Sequence, residues 1–195
     1  MRPATLPSFL PRLARLLVVL WLGAQGFVQA QGVELGTLEL RQADGALTLE
    51  FSARLTLSRA LEDALRRGVP MYFETEATLY RSRWYWRDER VARVARSYRL
   101  SYQPLTASWR VGLGGLAQNF QGLSEALAVV SRLSGWRLAD LAQLEPGERY
   151  YVEFSYRLDN AQLPRPMQIG LGNEWSLGIA RTLRVDERVR EAAPQ

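Results

Sequence analysis

The chain has 195 residues, 25 of them basic and 20 acidic, for a net charge of +5, and it contains no histidine and no cysteine. Every basic residue is arginine, so its cations are planar guanidinium groups that stay protonated. The missing His, Cys and Lys exclude the usual general base, the thiol nucleophile, Schiff-base chemistry, disulfides and nearly every zinc site, and leave a serine hydrolase nothing to activate its hydroxyl.

At the N-terminus, Arg2, Arg12 and Arg15 precede an apolar run from Leu16 to Leu22, and Phe27-Val28-Gln29-Ala30 follows. This is the pattern of a secretory signal peptide over residues 1–30, cleaved after Ala30. An uncleaved anchor is the alternative, but the run falls short of the ~20 apolar residues that span a bilayer. No second apolar stretch follows, so no stable membrane span is expected after cleavage. The expectation is an exported, periplasmic protein. Residues 1–30 hold three arginines and no acid, so their loss takes the net charge from +5 to +2. Nucleic acid is not an expected partner.

Residues 31–184 fit a single domain. Leu35, Thr37 and Leu38 to Leu40 lead to Asp44-Gly45, and Leu47, Leu49, Phe51, Ala53 and Leu55 then share one strand face. Asp-Gly between two such runs signals a hairpin. Leu57, Leu61, Ala64 and Leu65 form a helical stripe behind the candidate cap Ser58, ended by Gly68 and Pro70. A long strand is expected over 69–86, with Met71, Phe73, Ala77 and Leu79 on odd positions and Trp84 and Trp86 on even ones. A bulge near Tyr80 to Arg83 is the favoured account of that phase change, with Arg81, Arg83, Tyr85 and Arg87 opposite the tryptophans.

Residues 90–102 satisfy both helical spacing and alternation, and the Pro104 to Ala107 turn before Trp109 and Val111 favours a hairpin. A second helix is expected from Ser124 to Leu133, stopped by Gly135. Glu145-Pro146-Gly147 launches a strand with Tyr150, Val152, Phe154, Tyr156 and Leu158 on one face, and Trp175, Leu177 and Ile179 to Leu183 make a last one. The whole predicts a mainly β fold, an antiparallel β-sandwich of about seven strands with two short amphipathic helices. Residues 185–195 read as a flexible charged tail.

The densest positive region is Arg81-Ser-Arg-Trp-Tyr-Trp-Arg-Asp-Glu-Arg90, and seven arginines fall between 81 and 99. Arg81, Arg83, Trp84, Trp86, Arg87 and Arg90 are the candidate binding residues, since guanidinium groups beside indole rings can hold an acidic or carbohydrate ligand. In the plainer and preferred arrangement both tryptophans fill a core or cap a sheet edge, and the arginines pair with Asp88, Glu89, Glu74 and Glu76. Leu163-Pro164-Arg165-Pro166 must run extended and is a second candidate interaction segment, although edge protection is the plainer and preferred explanation. The chemistry still open is carboxylate work, by Glu74 with Glu76, Asp88 with Glu89, or Glu153 with Asp159, and each pair reads first as partners of nearby arginines. No calcium loop occurs, and Gly112 to Gly115 lacks the lysine of a phosphate loop, so no metal or cofactor is expected.

Arg83-Trp84-Tyr85-Trp86 with Asp88-Glu89, then Tyr98-Arg99-Leu100-Ser101-Tyr102, then Leu158-Asp159 with Gln162-Leu163-Pro164-Arg165-Pro166 make an ordered set. In these motifs the chain resembles a family of exported proteobacterial proteins known only as a domain of unknown function. The resemblance brings no catalytic residue with it. It does imply a gene neighbourhood that often includes a membrane sensor histidine kinase, and so an envelope-signalling role. The resulting expectation is a non-catalytic binding module of the envelope, partnered by an anionic envelope component or the periplasmic part of a sensor kinase. A carboxylate-dependent glycan-active enzyme is the alternative.

Overall fold

The computed structural model describes residues 32–162 and 176–186. Among these the chain forms β1 (Gly32–Ala43), β2 (Ala46–Thr56), α1 (Arg59–Arg66), β3 (Met71–Arg81), β4 (Glu89–Gln103), β5 (Ser108–Leu113) and β6 (Leu116–Phe120), followed by α2 (Leu123–Val130), β7 (Arg132–Asp140), β8 (Tyr150–Leu158) and β9 (Gly178–Arg184). One sheet runs in the order β1-β2-β7 and the other β6-β5-β4-β3-β8-β9, and every pairing is antiparallel. The fold is mainly β, with two sheets stacked as a sandwich and two short helices.

Alternation explains the core. On β8, Tyr150, Val152, Phe154, Tyr156 and Leu158 are all buried, as are Met71, Phe73, Ala77 and Leu79 on β3. The three-stranded sheet closes over them: the Phe51 ring lies 4.8 Å from Phe154 and 5.1 Å from Tyr156. Asp44 and Gly45 both take positive φ, 49° and 69°, the geometry of the two-residue hairpin turn whose twist matches its strands.

α1 is eight residues long, too short to persist alone. Ser58 Oγ accepts the Leu61 N–H at its start, and burial of Leu61, Ala64 and Leu65 holds it to the sheet. In its last turn the Arg66 guanidinium lies 5.7 Å from the centre of the Trp109 ring on β5.

Several expectations change. The long strand over 69–86 ends at Arg81, and residues 82–88 form the loop of the β3–β4 hairpin. A register shift does occur beside Tyr80, but Val91 of β4 is the extra residue, so the bulge lies on the partner strand. Trp84, Trp86, Arg83, Tyr85 and Arg87 therefore share no strand face.

The second helix stops at Val130, where Ser131 Oγ donates to the Leu127 carbonyl, and Leu133 belongs to β7. Pairing of Phe51 with Leu133 and Ser52 with Arg132 draws this segment into the sheet. Gly135, at φ 58°, stands where the β2–β7 register slips rather than at a helix end.

β6 and β7 raise the strand count to nine among the described residues. The alternation of β7 is broken by two register shifts, and β6 is an exposed edge with no buried face to signal it. Val185, assigned to the tail, is buried and donates its N–H to the Tyr150 carbonyl, while residues 187–195 lie outside the described part. No helix among the described residues is long and apolar enough to cross a membrane.

Candidate functional site

The loop 82–88 is fixed at its base by hydrogen bonds that use both oxygens of Asp88. The Arg83 backbone N–H donates to Asp88 Oδ1 at 3.0 Å, and the Tyr151 hydroxyl donates to Asp88 Oδ2 at 2.7 Å. These two donors, the Arg83 N–H foremost, hold the Asp88 carboxyl below its usual range. The same bond, with burial adding to it, pushes the Tyr151 phenol up to about 12. Tyr151 is placed by β8 directly opposite Tyr80 of β3, and their rings stack at 5.3 Å. Ser82 N–H adds a bond of 2.8 Å to the Arg149 carbonyl, which ties the loop to the turn before β8.

Two arginines brace the same base. Arg81 Nε donates to Glu89 Oε2 at 3.0 Å, and Arg83 Nη2 reaches that same oxygen. On its other side Arg81 Nη1 pairs with Glu145 Oε1 at 2.5 Å. Their donation, chiefly from Arg81, keeps the Glu89 carboxyl low. Arg81 and Arg83 are therefore struts, which matches the ion pairing expected of them.

The aromatic side chains do the opposite of what was expected. Trp84 is 88% exposed, Tyr85 67% and Trp86 75%, and the Trp84 ring meets Tyr85 edge-on at 5.1 Å. The burial expected for the tryptophans is overturned because the chain leaves the sheet at Arg81, so no facing element covers residues 84–86. Large apolar side chains grouped in the open are unusual on a soluble surface and mark contact sites. Arg87 and Arg90 are exposed beside them, with no ion-pair partner among the described residues.

Of the six candidate residues, Trp84, Trp86, Arg87 and Arg90 thus present themselves outward, while Arg81 and Arg83 hold the loop. Tyr85 completes the exposed cluster and could have been found from its neighbours. Tyr151 and Glu145 could not, since nothing local in the sequence links them to residue 88 or 81. Leu163, Pro164, Arg165 and Pro166 lie outside the described residues. Beside the loop base, a depression of about 580 Å³ is lined by Ser82, Arg149, Arg184 and Asp186 with Tyr150 and Tyr151.

Of the other candidate acids, Glu74, Glu76 and Glu153 lie on the outer face of the six-stranded sheet and Asp159 lies in the turn after β8. Glu76 receives both Nε and Nη2 of Arg93 at 2.8 Å, and this pairing sets its carboxyl below the ordinary range. Glu74 accepts from Arg157 across the β3–β8 pair at 3.0 Å and 2.5 Å. Asp159 caps the turn after β8, accepting from Ala161 N–H and Gln162 Nε2. Glu153 shares an open depression of about 510 Å³ with Glu76. Among the described residues no group of three or more acidic side chains is arranged to hold a metal ion.

No curated protein and no solved structure matches the chain. A family model described as a domain of unknown function, DUF4390, matches residues 30–184, which take in both sheets and the whole of the loop 82–88, and the chain belongs to that family.

Proposed function

We propose that this protein is a non-catalytic binding module of the bacterial envelope and that the loop 82–88 is its contact. The observation that carries the reading is the trio Trp84, Tyr85 and Trp86, open to solvent on a loop whose two ends are bonded down. Aromatic side chains dominate binding energy at interfaces, and a loop already held in shape loses little entropy when it binds. Glu89 is taken up by Arg81 and Arg83, and Arg87 on the loop with Arg90 at the start of β4 leaves this end of the hairpin net positive. An anionic partner follows from that sign. Arg149 and Arg184 add two cations against the one carboxylate of Asp186 in the depression beside the loop base.

The chain is read as exported, with cleavage after Ala30. The resemblance to proteins encoded beside a sensor histidine kinase makes the periplasmic part of such a kinase the specific candidate partner. The state of the acids favours binding over glycan hydrolysis. A general acid needs a raised pKa, whereas hydrogen-bonded arginines lower Glu76 and Glu89, and the Arg83 N–H and the Tyr151 hydroxyl lower Asp88.

The test is a photo-crosslinking residue placed at Tyr85 of the full chain in living cells, with Leu105 as the control. Leu105 is fully exposed in the turn at the opposite end of β4. A discrete adduct from position 85, absent from position 105 and lost when Trp84 and Trp86 become Ala, is the expected result. Equal adducts from both positions would sink the reading.

A further inference from the structure

A second site, independent of the loop, lies on the outer face of the six-stranded sheet. Across β3, β4, β5 and β6 the register aligns Tyr72, Arg99, Gly112 and Ala117 in one row, and Ser101, Arg110 and Asn119 in the next. All of these residues but Asn119, together with Ser97, Gln103 and the Gly114-Gly115 turn, line a depression of about 730 Å³. Neighbouring strands are about 4.8 Å apart, so the row from Tyr72 to Ala117 crosses three gaps and spans about 14 Å, room for a short saccharide.

The charge of this depression differs from the rest of the face. Toward β8, Glu76 takes Arg93 and Glu74 takes Arg157. Arg99 and Arg110 have no ion-pair or hydrogen-bond partner among the described residues, and no carboxylate lines their depression. Of the acids at its border, Glu74, opposite Ser97, is occupied by Arg157, and Asp159 accepts from Ala161 N–H and from Gln162, itself part of the lining. Arg99 faces Gly112 and Arg110 faces Ser101, so the two arginines are diagonal neighbours, at about 7–8 Å for such positions. Like charges at that spacing repel, and an anion between them removes the repulsion while accepting hydrogen bonds from both guanidinium forks.

The remaining lining is neutral: Tyr72, Ser97, Ser101, Gln103 and Gln162 are hydroxylated or amidic, and Leu116, Ala117 and the glycines are apolar. Ser97, Ser101 and Gln103 can exchange hydrogen bonds with alcohol groups, and Tyr72 offers a ring at the border. Gly112, Ser101 and Ala117 keep the floor low between the arginines. Gly112 has room for a side chain: a Cβ there would stand 3.7 Å from the Leu116 carbonyl oxygen and 3.9 Å from Arg99. Its bareness is therefore not required by packing, and it leaves the space open.

We infer that this depression binds an acidic saccharide, with the carboxylate or phosphate group bridging Arg99 and Arg110 and the sugar hydroxyls meeting Ser97, Ser101 and Gln103. Nuclear magnetic resonance titration of the full chain tests it, with glucuronate and glucose 6-phosphate as probes and glucose and inorganic phosphate as comparisons. Saturable shifts at the Arg99, Ser101 and Gly112 amides are expected with both acidic sugars, at least tenfold weaker with either comparison. Changing Arg99 and Arg110 together to Gln, or Gly112→Val alone, should weaken the acidic sugars at least tenfold. Gly112→Val decides the matter if the double variant does not fold. Equal binding of glucose or of inorganic phosphate overturns the inference, as do shifts centred elsewhere, no saturable shift, or undiminished binding by folded Gly112→Val.

Discussion

The hydroxyl of Tyr151 donates to Asp88 across 63 residues of sequence, and this 2.7 Å bond fixes the one loop that carries the exposed tryptophans. β8 supplies the donor and the β3–β4 hairpin supplies the acceptor. Neither strand alone could hold the loop at that angle.

Loss of that bond should free the loop without unfolding the sandwich. Tyr151→Phe is expected to cost about 1 kcal/mol, the usual net worth of one hydrogen bond. Backbone order parameters over residues 83–87 should fall from about 0.85 toward 0.6 or below. Asp88→Ala should reproduce the mobility, and the double variant should add little to either, because the residues act as one unit. Full additivity of the two changes would show that the bond does not hold the loop.

The clamp, together with the Glu76–Arg93 pair on the sheet, should respond to pH at both extremes. Asp88, Glu89 and Glu76 have folded pKa values below their unfolded ones, so their contribution is complete above about pH 5 and is lost as pH falls through the depressed values. Tyr151 is raised to about 12, so its contribution is complete below about pH 10 and lost as pH climbs toward 12. Chemical denaturation across the range should therefore give a plateau from about pH 5 to 10. In Tyr151→Phe the alkaline fall should shrink.

Trp84→Ala with Trp86→Ala should leave folding stability within about 0.5 kcal/mol of the parent, since neither side chain is covered. Phe154→Ala, which empties a place in the core, should cost about 3–5 kcal/mol. Urea midpoints at constant slope provide the comparison.

The core also holds a polar atom with nothing to bond. Tyr156 is fully buried between Phe51 and Phe73, its hydroxyl has no hydrogen-bond partner among the described residues, and burial raises its pKa. Tyr156→Phe keeps the ring and removes that atom, so it should stabilise the fold, by up to about 1 kcal/mol. A lower denaturation midpoint for Tyr156→Phe would contradict this account.

Ser58→Ala removes the side-chain acceptor at the start of α1 and should cost about 1 kcal/mol. A cost near zero would mean that packing of Leu61 and Leu65 alone holds the helix.

Much of the fold was legible because one face of each long strand is buried. Phe154 and Tyr156 could be assigned inward from period-two spacing, Asp44-Gly45 marked its hairpin, and Ser58 marked its helix. β7 was not legible, since its register slips twice against β2 and Trp136, Leu138 and Ala139 no longer alternate. Leu133 kept a helical spacing that pairing with Phe51 overrode. The candidate site was half legible: the block 81–90 stood out by composition, but Arg81 and Arg87 look alike in sequence and play opposite parts, one a strut and the other open to solvent.

By itself the sequence determined which chemistries are closed, since a chain without His, Cys or Lys cannot supply them, and which residues line the core, since burial imposes its period on the strands. Only the tertiary structure decided the fate of the block. Whether a tryptophan is buried depends on what lies above it, and that was set by the end of β3 at Arg81, one position before the chain leaves the sheet. The bond from Tyr151 to Asp88 then holds the loop in place.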